Sequence, residues 1–298
     1  MEVCMDVYRS ILITGGGGML AHALVEALTA RGLSATAVRR SECDIANSNQ
    51  VAELFEKYRP TLLLNCAAHT GVDLCEDESD RANAINGEGP AHLAGNALQF
   101  GTQLVHFSTD FIFDGQSDRP YRPDDQTHPI SVYGASKLLG EQRIQQLNPP
   151  DWLILRTAWL FGRHGNCFPQ TMVKLARLGR PLRVVNDQFG SPTSTLDLAS
   201  ATLQLIDARA KGIFHVTNEG FTSWYEFARE TVREFGVEAD LAPVTTSEWV
   251  KLRPQQAKRP LYSVLDCQKY RDVTGQSMRQ WNEALRDYRI SCDLVQVT

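Results

Sequence analysis

Four consecutive glycines follow the first apolar segment of the chain, the ILIT run at Ile11–Thr14, and a helical pattern begins directly after them. Glycines let a backbone turn tightly and approach a pyrophosphate, while the following helix aims its free N–H groups at the phosphates. One register of the run, GxxGxxA, uses Gly15, Gly18 and Ala21. The other register, GxGxxA, starts at Gly16. A plain turn would explain the glycines alone, but their place between a strand and a helix predicts a dinucleotide-binding βαβ unit.

Short apolar runs alternate with helical patterns through the first half of the chain, which is typical of βαβ units. We therefore predict an α/β fold, a Rossmann-like doubly wound parallel sheet with a smaller C-terminal substrate-binding lobe. We assign residues 1–160, with returning segments at about 182–217, to the dinucleotide-binding domain. Residues 161–181 and 218–298 are assigned to the lobe. The runs predicted as strands after ILIT are SATAVRR, TLLLNCAA, QLVHFST, WLILRTAWLFG and GIFHVTN.

Composition and charge limit the binding partners and the cellular compartment that can be expected for the chain. A formal net charge of −5 gives no support for a nucleic acid or an anionic membrane as partner. No apolar run approaches the ~20 residues of a membrane span, and the first ten residues lack the apolar core of a signal peptide. Seven widely spaced cysteines, Cys4 among them, form no CxxC pair and indicate reduced thiols. We expect a cytoplasmic monomer or homodimer that binds neither nucleic acid nor membrane.

Polar side chains are predicted to meet at the end of the strand QLVHFST, where Ser108, Thr109 and Asp110 stand. Ligands of open parallel sheets bind outside the carboxyl ends of the strands. Tyr133 and Lys137 lie four residues apart at the start of a predicted helix, SKLLGEQRIQQL, and positions i and i+4 share one helical face. The sequence therefore predicts that the phenol and the ammonium point at the same pocket.

These residue types suit the reduction of a ketone. A free phenol has a pKa near ~10, and a neighbouring ammonium favours the phenolate and lowers that value. Lys137 can also donate to the ribose of a nicotinamide cofactor, and the Thr109 hydroxyl can hold a carbonyl oxygen. Hydride would come from the nicotinamide while Tyr133 protonates the developing alkoxide. Although YxxxK occurs by chance on helices, the glycine loop and the strand end before it favour this hypothesis.

The residues after the second strand bear on which dinucleotide is bound. An acidic residue there would hold the ribose 2′-hydroxyl of NAD, whereas arginine accommodates the 2′-phosphate of NADP. Arg39 and Arg40 stand at this point, so we predict NADPH as cofactor, with NADH possible. A solvated surface pair is the alternative interpretation of the two arginines. Asp44 is predicted either to accept from the adenine amine or to cap the next helix.

Together these elements resemble the extended short-chain dehydrogenase/reductases, and the later motifs are similar to the dTDP-4-dehydrorhamnose reductase family. The resemblance runs from about residue 11 to about residue 266. Within it, NDQFGSPT is specific to that family, whereas the glycine loop and YxxxK mark only the superfamily. The resemblance implies reduction of the 4-keto group of dTDP-4-dehydro-L-rhamnose, a dTDP-sugar, with NADPH or NADH. The strings that carry it are NCAAHTGVD, STDFIFDG, VYGASKLLGE, RTAWLFG, VVNDQFGSPTSTLDLA, FHVTNEGFTSWYEFA and RPLYSVLD.

The resemblance also implies roles for matching positions. Tyr133 would be the proton donor, Lys137 its partner and Thr109 the third catalytic residue. Pyrophosphate would lie against the glycine loop, adenine beside Asp44, and the rest of the cofactor along the segment after the third strand. The cofactor-binding positions implied in full are Gly15, Gly18, Met19, Leu20, Arg39, Arg40, Asp44, Ile45, Ala67, Ala68, His69, Thr70, Tyr133 and Lys137.

On the substrate side, the resemblance implies contacts from Val72, Thr109, Asp110 and Trp159, with the NDQFGSPT loop beside them. Trp159 would form a wall for the sugar ring, although a plain core position is the alternative. For His69 we expect no role in proton transfer. A basic cluster before RPLYSVLD could hold the substrate diphosphate, since charge-assisted bonds to phosphate are strong, or could be solvated surface. Its members are Lys251, Arg253, Lys258 and Arg259.

Two departures from the family pattern stand out. Phe111 replaces the tyrosine that often follows the STD triplet, which removes one hydroxyl near the substrate. Some members also bind Mg²⁺ through glutamates, but the matching positions here are Ala23 and Leu196, which cannot ligate a hard cation. We therefore expect no metal.

Two other functions remain open from the sequence. A nucleotide-sugar epimerase or dehydratase uses the same scaffold, and the Asp110 that follows Thr109 is compatible with a dehydratase. The NDQFGSPT string favours the reductase. A non-catalytic NADP-binding subunit, like the regulatory subunit of methionine adenosyltransferase, is the second alternative, and the intact Thr109, Tyr133 and Lys137 argue for catalysis instead.

Overall fold

The structure is a computed structural model that describes residues 8–295, with side chains through residue 292. Residues 1–7, with Cys4, and residues 296–298 lie outside the described part. The expectations for the Cys4 thiol and for the N-terminal segment therefore lie outside it too. Within the described part, no helix combines the length and the apolar character that crossing a membrane requires.

A six-stranded sheet in which every strand pair is parallel forms the centre of the fold. Within the part of the chain that the structure describes, three two-stranded pairs accompany it. The strands of the described residues are β1 (Ile11–Thr14), β2 (Ala35–Val38), β3 (Leu62–Asn65), β4 (Gln103–Thr109), β5 (Leu153–Thr157), β6 (Leu160–Phe161), β7 (Leu182–Val185), β8 (Phe189–Gly190), β9 (Thr193–Ser194), β10 (Gly212–His215), β11 (Thr222–Ser223) and β12 (Leu241–Val244).

The strand order of the central sheet is β10-β5-β4-β3-β1-β2. The chain leaves β1 for β2 on one side and returns to β3 on the other, so the order reverses beside β1. In open parallel sheets a ligand crevice forms at such a reversal, outside the carboxyl ends of the strands. The fold confirms the predicted Rossmann-like doubly wound sheet. The expected ligand crevice lies between the loops after β1 and β3.

Helices cover both faces of this sheet. A π-helical segment, Asn83–Glu88, leads into the fifth helix, and a 3₁₀ turn, Asp110–Ile112, follows β4. The α-helices are α1 (Met19–Ala30), α2 (Ser48–Tyr58), α3 (Val72–Asp77), α4 (Ser79–Ala82), α5 (Gly89–Phe100), α6 (Val132–Leu147), α7 (Phe168–Arg177), α8 (Thr195–Asp207), α9 (Trp224–Glu234), α10 (Thr246–Leu252), α11 (Gln268–Thr274) and α12 (Trp281–Val295).

The alternation of side chains along β1 explains the two layers of helices. Successive residues of a strand point to opposite faces of its sheet. Ile11 and Ile13 belong to an apolar cluster with buried residues of α1 and α8. Leu12 belongs to a second cluster with buried residues of α2 and α5. Because helices cover both faces of the sheet, every side chain of a central strand such as β1 is buried, and the strand is mostly apolar.

The strands outside the central sheet form short pairs. β7 pairs with β12, β8 pairs with β11, and β6 pairs with β9, all outside the central sheet. β7 packs with α7 and α9 around a separate apolar cluster. Of the segment 182–217 that we expected to return to the first domain, β10 joins the central sheet and α8 packs beneath it, whereas β7 does not. The boundary between the two units stays a prediction.

Two local predictions differ from the structure. The helix expected from Ser136 begins at Val132, because the Ser131 side chain accepts from the Gly134 N–H and caps the helix there. The expected strand WLILRTAWLFG is divided into β5 and β6. The division falls at Trp159, whose φ of 48° lies in the left-handed region and cannot continue a strand.

A buried ion pair joins α6 to the sheet. Arg156 on β5 and Glu141 on α6 are 3% and 0% exposed, and their closest N–O distance is 2.7 Å. The Arg156 guanidinium also donates to the Pro123 carbonyl, so its donors are shared between helix and loop. Because α6 carries Tyr133 and Lys137, this pair helps to fix the helix on which both stand.

We expect Glu141→Gln to lower the free energy of unfolding by about 3–5 kcal/mol, because it leaves the buried Arg156 charge without its counter-ion. The measurement is urea unfolding followed by circular dichroism. Glu88→Gln is the matched control, since its ion pair with Arg143 is 43% and 41% exposed and worth little. Equal shifts in the two variants would contradict the structural role of the buried pair.

Candidate active site

The loop after β1 is shaped by close contact with the loop after β3. Gly15 has a φ of 70°, and a Cβ at this position would lie 2.6 Å from the Ala67 backbone nitrogen. Only glycine satisfies both conditions. The following helix, α1, has Gly18 as its N-cap, and no side chain of the described residues caps it. Its first-turn N–H groups are therefore available to an anionic ligand.

A cavity of about 580 Å³ opens at this loop. Its size falls within the range of small-molecule and cofactor sites. Every cofactor-binding position implied by the family resemblance lines it, although their individual roles stay predictions. These positions are Gly15, Gly18, Met19, Leu20, Arg39, Arg40, Asp44, Ile45, Ala67, Ala68, His69, Thr70, Tyr133 and Lys137.

Two buried hydroxyls face the cavity without a partner. Ser108 and Thr157, at the ends of β4 and β5, are both 5% exposed and line the cavity wall. Within residues 8–295, their hydroxyl oxygens make no hydrogen bond. Buried polar groups in native proteins are almost always satisfied, so these two mark where a ligand or water would bond. Sequence reasoning placed Ser108 at the strand end without a role and missed Thr157, since both lack a motif of their own.

Tyr133 stands in the first turn of α6, and a glycine beside it brings the helix close to the sheet. A Cβ on Gly134 would lie 2.1 Å from the Phe111 carbonyl oxygen, so any other residue there would displace α6. The ring of Phe111 meets the ring of Tyr133 edge to face at 5.6 Å. Phe111 thus packs against the phenol, although it lacks the hydroxyl that a tyrosine would bring.

Burial raises the pKa of the Tyr133 phenol above its usual value, a hydrogen bond with Thr109 opposes the rise, and the nearby Asp110 adds to it. The expectation that the pKa of Tyr133 lies below its usual value is therefore wrong. Transfer from water penalises the phenolate, and this penalty outweighs the other contributions. Tyr133 is accordingly held in its protonated form, which is the form that can donate a proton.

Lys137 is 3% exposed, and its ammonium is sequestered beside the sheet. Its Nζ donates to the Phe107 carbonyl at 2.6 Å. Burial lowers the pKa of Lys137 to about 8, while the nearby Glu141 opposes this shift. Lys137 can therefore lose or gain a proton near neutral pH, unlike a solvated lysine.

Asp110 lies behind the cavity rather than on its wall, and it connects the two units. Its carboxylate accepts from Ser263 Oγ at 2.5 Å and from Thr109 Oγ1 at 3.1 Å. Burial raises the pKa of Asp110 to about 6, although both hydrogen bonds oppose the shift. Ser263 belongs to the RPLYSVLD string, so this contact gives that string a structural role beside the strand end.

The other residues expected to bind substrate also lie outside the cavity lining. Val72 begins α3, and Thr109 lies at the end of β4 beside Asp110. Trp159 stacks on Trp224, with ring centroids 3.6 Å apart, in the aromatic core of the lobe. The sugar-wall role of Trp159 stays a prediction, and the stacking is what a core position would also show.

The polar residues expected near adenine have partners of their own. Asp44 forms an ion pair with Arg40 at 2.9 Å, which leaves Arg39 at the cavity rim. The alternative interpretation of Asp44 as a helix cap is wrong, because Asn47 caps α2. His69 lines the cavity, and its Nε2 lies 3.2 Å from Glu78 Oε2.

The basic cluster divides between the cleft and the surface. Arg259 pairs with Asp73 on α3 at 2.9 Å, which bridges the lobe and the first domain. Arg253 lies over the ring of Trp249, and Lys251 and Lys258 are exposed. Its binding of a substrate diphosphate stays a prediction, and Arg259 is the member nearest to the first domain.

The metal expectation stays a prediction as well. Ala23 lies buried in α1, and Leu196 lies in the first turn of α8. Within the part of the chain that the structure describes, no three His, Cys, Asp or Glu side chains form a cluster suited to a metal ion.

Comparison with known proteins gives consistent matches along nearly the whole chain. The model of one family, described as the RmlD substrate binding domain, matches residues 9–292. The spore coat polysaccharide biosynthesis protein SpsK of Bacillus subtilis is 43% identical over 93% of this chain and 96% of its own length. A dTDP-4-dehydrorhamnose reductase of Streptomyces griseus is 40% identical over 93% of this chain and 91% of its own.

A solved structure extends the likeness to three dimensions. The crystal structure of a dTDP-4-dehydrorhamnose reductase from Bacillus anthracis in complex with NADP has a TM-score of 0.90 and 35% identity to this chain. The alignment covers 95% of this chain and 99% of that one. The similarity therefore includes both the central sheet and the lobe.

We expect Asp110→Asn to stabilise the fold at pH 8 by up to about 3 kcal/mol, because the folded pKa of about 6 exceeds an unfolded value near ~3.9. Ionised Asp110 thus destabilises the native state above pH ~6, and the gain should fade as pH falls toward ~4. Urea unfolding at both pH values measures it. Asp125→Asn is the opposite control, since a hydrogen bond from Arg119 lowers the pKa of Asp125 to about 2. A gain that is independent of pH would contradict this assignment.

Proposed function

Because the chain belongs to the RmlD family of dTDP-4-dehydrorhamnose reductases, we propose that it reduces the 4-keto group of dTDP-4-dehydro-L-rhamnose to dTDP-L-rhamnose with NADPH. The observation that carries the proposal is the placement of Tyr133 and Lys137 on one face of α6, in the wall of the cavity below the glycine loop. A proton donor and a cationic partner thus share one pocket with the loop that would bind a dinucleotide. The chain is accordingly an NADP-dependent oxidoreductase.

The cavity lining fits a nicotinamide dinucleotide. The space that a Gly15 side chain would fill is a cradle for pyrophosphate, and the uncapped start of α1 adds N–H donors. Arg39 at the rim suits the 2′-phosphate that distinguishes NADP from NAD. Ser108 and Thr157 add hydroxyls that have no partner within residues 8–295. Bound NADPH would supply the hydride, and NADH remains a possible second cofactor.

The chain itself supplies the proton. Tyr133 would give its phenolic proton to the oxygen of the ketone as that oxygen gains charge. The raised pKa of Tyr133 keeps the proton in place until a strong base, the developing alkoxide, approaches. The edge-to-face contact with the Phe111 ring helps to hold the phenol in position during this step. Tyr133 is thus poised for reduction rather than for oxidation, which would require the phenolate.

Two alternatives use the same cavity. An epimerase or a dehydratase would recycle its dinucleotide, and a dehydratase would use the carboxyl after the strand-end threonine. Asp110 is instead engaged by Ser263 and Thr109 and does not line the cavity, which disfavours that use. A regulatory NADP-binding subunit would bind the dinucleotide without turnover.

One assay distinguishes these functions. NADPH oxidation is followed over a panel of 4-keto nucleotide sugars, and the product is identified by mass spectrometry and NMR. The proposed reductase consumes one NADPH for each sugar reduced. Altered sugar without net NADPH consumption would indicate the epimerase or dehydratase. Tight NADPH binding with no change in any sugar, together with a stable enzyme partner, would indicate the regulatory subunit.

We expect Tyr133→Phe to lower turnover of the keto sugar at least ~10²-fold, because it removes the proton donor and keeps the ring that packs on Phe111. NADPH affinity, measured by fluorescence titration, should stay within about threefold of the parent value, since the change removes one hydroxyl. Tyr225→Phe in the lobe is the matched control and should turn over normally. Full turnover by Tyr133→Phe would assign the proton to another group.

We expect Arg39→Ala to weaken NADPH binding by about tenfold or more and to leave NADH binding nearly unchanged, because a charge-assisted bond to the 2′-phosphate is lost. Calorimetric titration with both dinucleotides measures the difference. Arg180→Ala, an exposed arginine outside the cavity lining, controls for loss of general positive charge. If Arg39→Ala weakens both dinucleotides equally, Arg39 does not read the 2′-phosphate.

A further inference from the structure

A chain of buried hydrogen bonds runs along the wall of the cavity across three neighbouring strands. Thr14 Oγ1 on β1 donates to Asn65 Oδ1 on β3 at 2.7 Å. Asn65 Nδ2 lies 2.9 Å from His106 Nδ1 on β4, and His106 Nε2 lies 3.3 Å from Lys137 Nζ. Thr14, Asn65 and His106 are each at most 1% exposed. The chain of hydrogen bonds therefore ends on the amine of Lys137, which lines the cavity.

The orientation of the Asn65 amide is fixed by a donor that cannot reverse. The backbone N–H of Ala67 points at Asn65 Oδ1 at 3.1 Å, and a backbone N–H only donates. Oδ1 is therefore the acceptor, and the Asn65 amino group must face the other way. It donates to His106 Nδ1, which has to present a lone pair.

The tautomer of His106 follows from this. Burial holds the pKa of His106 well below its usual value, so the ring is neutral. A neutral ring with a lone pair on Nδ1 carries its proton on Nε2. The Nε2–H then points at Lys137 Nζ, where an ammonium would present a second donor and no acceptor. A neutral amine, by contrast, offers its lone pair to that proton.

Other groups around Lys137 do not reverse this preference. From its own helix it is faced by Tyr133, held protonated by burial, and by Glu141, whose charge is paired with Arg156. From the loop after β3 it is faced by Cys66, whose pKa is raised by burial, so that the thiol is neutral. The Phe107 carbonyl on β4 accepts from either form of the amine. His106 is thus the neighbour that discriminates between the two protonation states.

We propose that His106 is a positioning residue that stabilises the neutral amine of Lys137 through its Nε2–H, which the Thr14–Asn65 chain holds in place. This effect of His106 on the protonation of Lys137 does not depend on a bound cofactor or sugar. The consequence of this effect for catalytic turnover rests on the proposed function. After Tyr133 gives its proton to the ketone oxygen, the Lys137 ammonium returns one to the phenolate. The amine that remains is held by His106 until water replaces the proton.

The test measures the protonation of Lys137 directly, in the full chain without substrate. Lysines are labelled with ¹³C at Cε, and the Lys137 signal is identified by its loss in Lys137→Met. We expect the Lys137 signal to titrate at least about one pH unit below the other lysines, which is tenfold in proton affinity. In His106→Asn, the Asn oxygen can still accept from Asn65, but the Nε2–H is absent. The midpoint should rise by about one unit or more.

Controls separate this role from a structural one. His128→Asn makes the same chemical change at an exposed histidine and should leave the Lys137 midpoint unchanged. A Lys137 midpoint that stays the same in His106→Asn overturns the proposal. If that variant does not fold, ¹⁵N spectra of the histidines in the unmodified protein decide the matter. The Nε2–H tautomer of His106 supports the proposal, and the Nδ1–H tautomer or a charged ring overturns it.

The kinetic arm is kept apart from the titration. If the reductase proposal holds, the alkaline limb of the turnover profile should move to higher pH in His106→Asn, in step with the Lys137 midpoint. A shifted midpoint in a chain that reduces no sugar would refute the proposed function and leave the role of His106 intact. An unshifted Lys137 midpoint in a chain that does reduce the sugar would refute the role of His106 and leave the proposed function intact.

Discussion

The close approach of α6 to the end of β4 is the contact on which the rest of the site depends. It is possible because the helix carries glycines where a larger residue would collide, with the Phe111 carbonyl at Gly134 and with the Asn86 carbonyl at Gly140. Small residues that bury little area therefore have a purpose in this helix. They let Tyr133 and Lys137 reach the carboxyl edge of the sheet, where the glycine loop would bring a dinucleotide.

Burial then sets the chemistry of every ionisable group brought to that edge. The same desolvation raises the pKa of Tyr133 and of Asp110 and lowers the pKa of Lys137. Each group is pushed toward its neutral form, so the site stores a phenolic proton beside an amine that exchanges protons readily. The cost is a less stable native state, because charges held away from water oppose folding. The buried Arg156–Glu141 ion pair connects this helix to the sheet.

The sequence predicted the parts of this arrangement that local rules determine. The order of strand, glycine loop and helix requires only neighbouring residues, and so does the i, i+4 spacing of Tyr133 and Lys137. The pairing of β7 with β12 joins segments about sixty residues apart, and no local pattern records it. The sign of the Tyr133 pKa shift depends on how deeply the ring is packed, which spacing does not reveal. Ser108 and Thr157 could be identified only from the structure, because their hydroxyls have no hydrogen-bond partner within residues 8–295. His106 could be identified only from its hydrogen-bond partners.

The hydrogen-bond chain from Thr14 to Lys137 connects the two halves of the proposed chemistry. Thr14 is the last residue of β1, and Gly15, the first residue of the loop that would hold pyrophosphate, follows it directly. The Thr14 hydroxyl, the Asn65 amide and the His106 ring connect that position to Lys137 through hydrogen bonds. The parallel order β4-β3-β1 places these side chains on adjacent strands, so the coupling needs no moving domain. The loop that would bind the cofactor and the amine proposed to serve proton transfer are therefore connected by one hydrogen-bonded network.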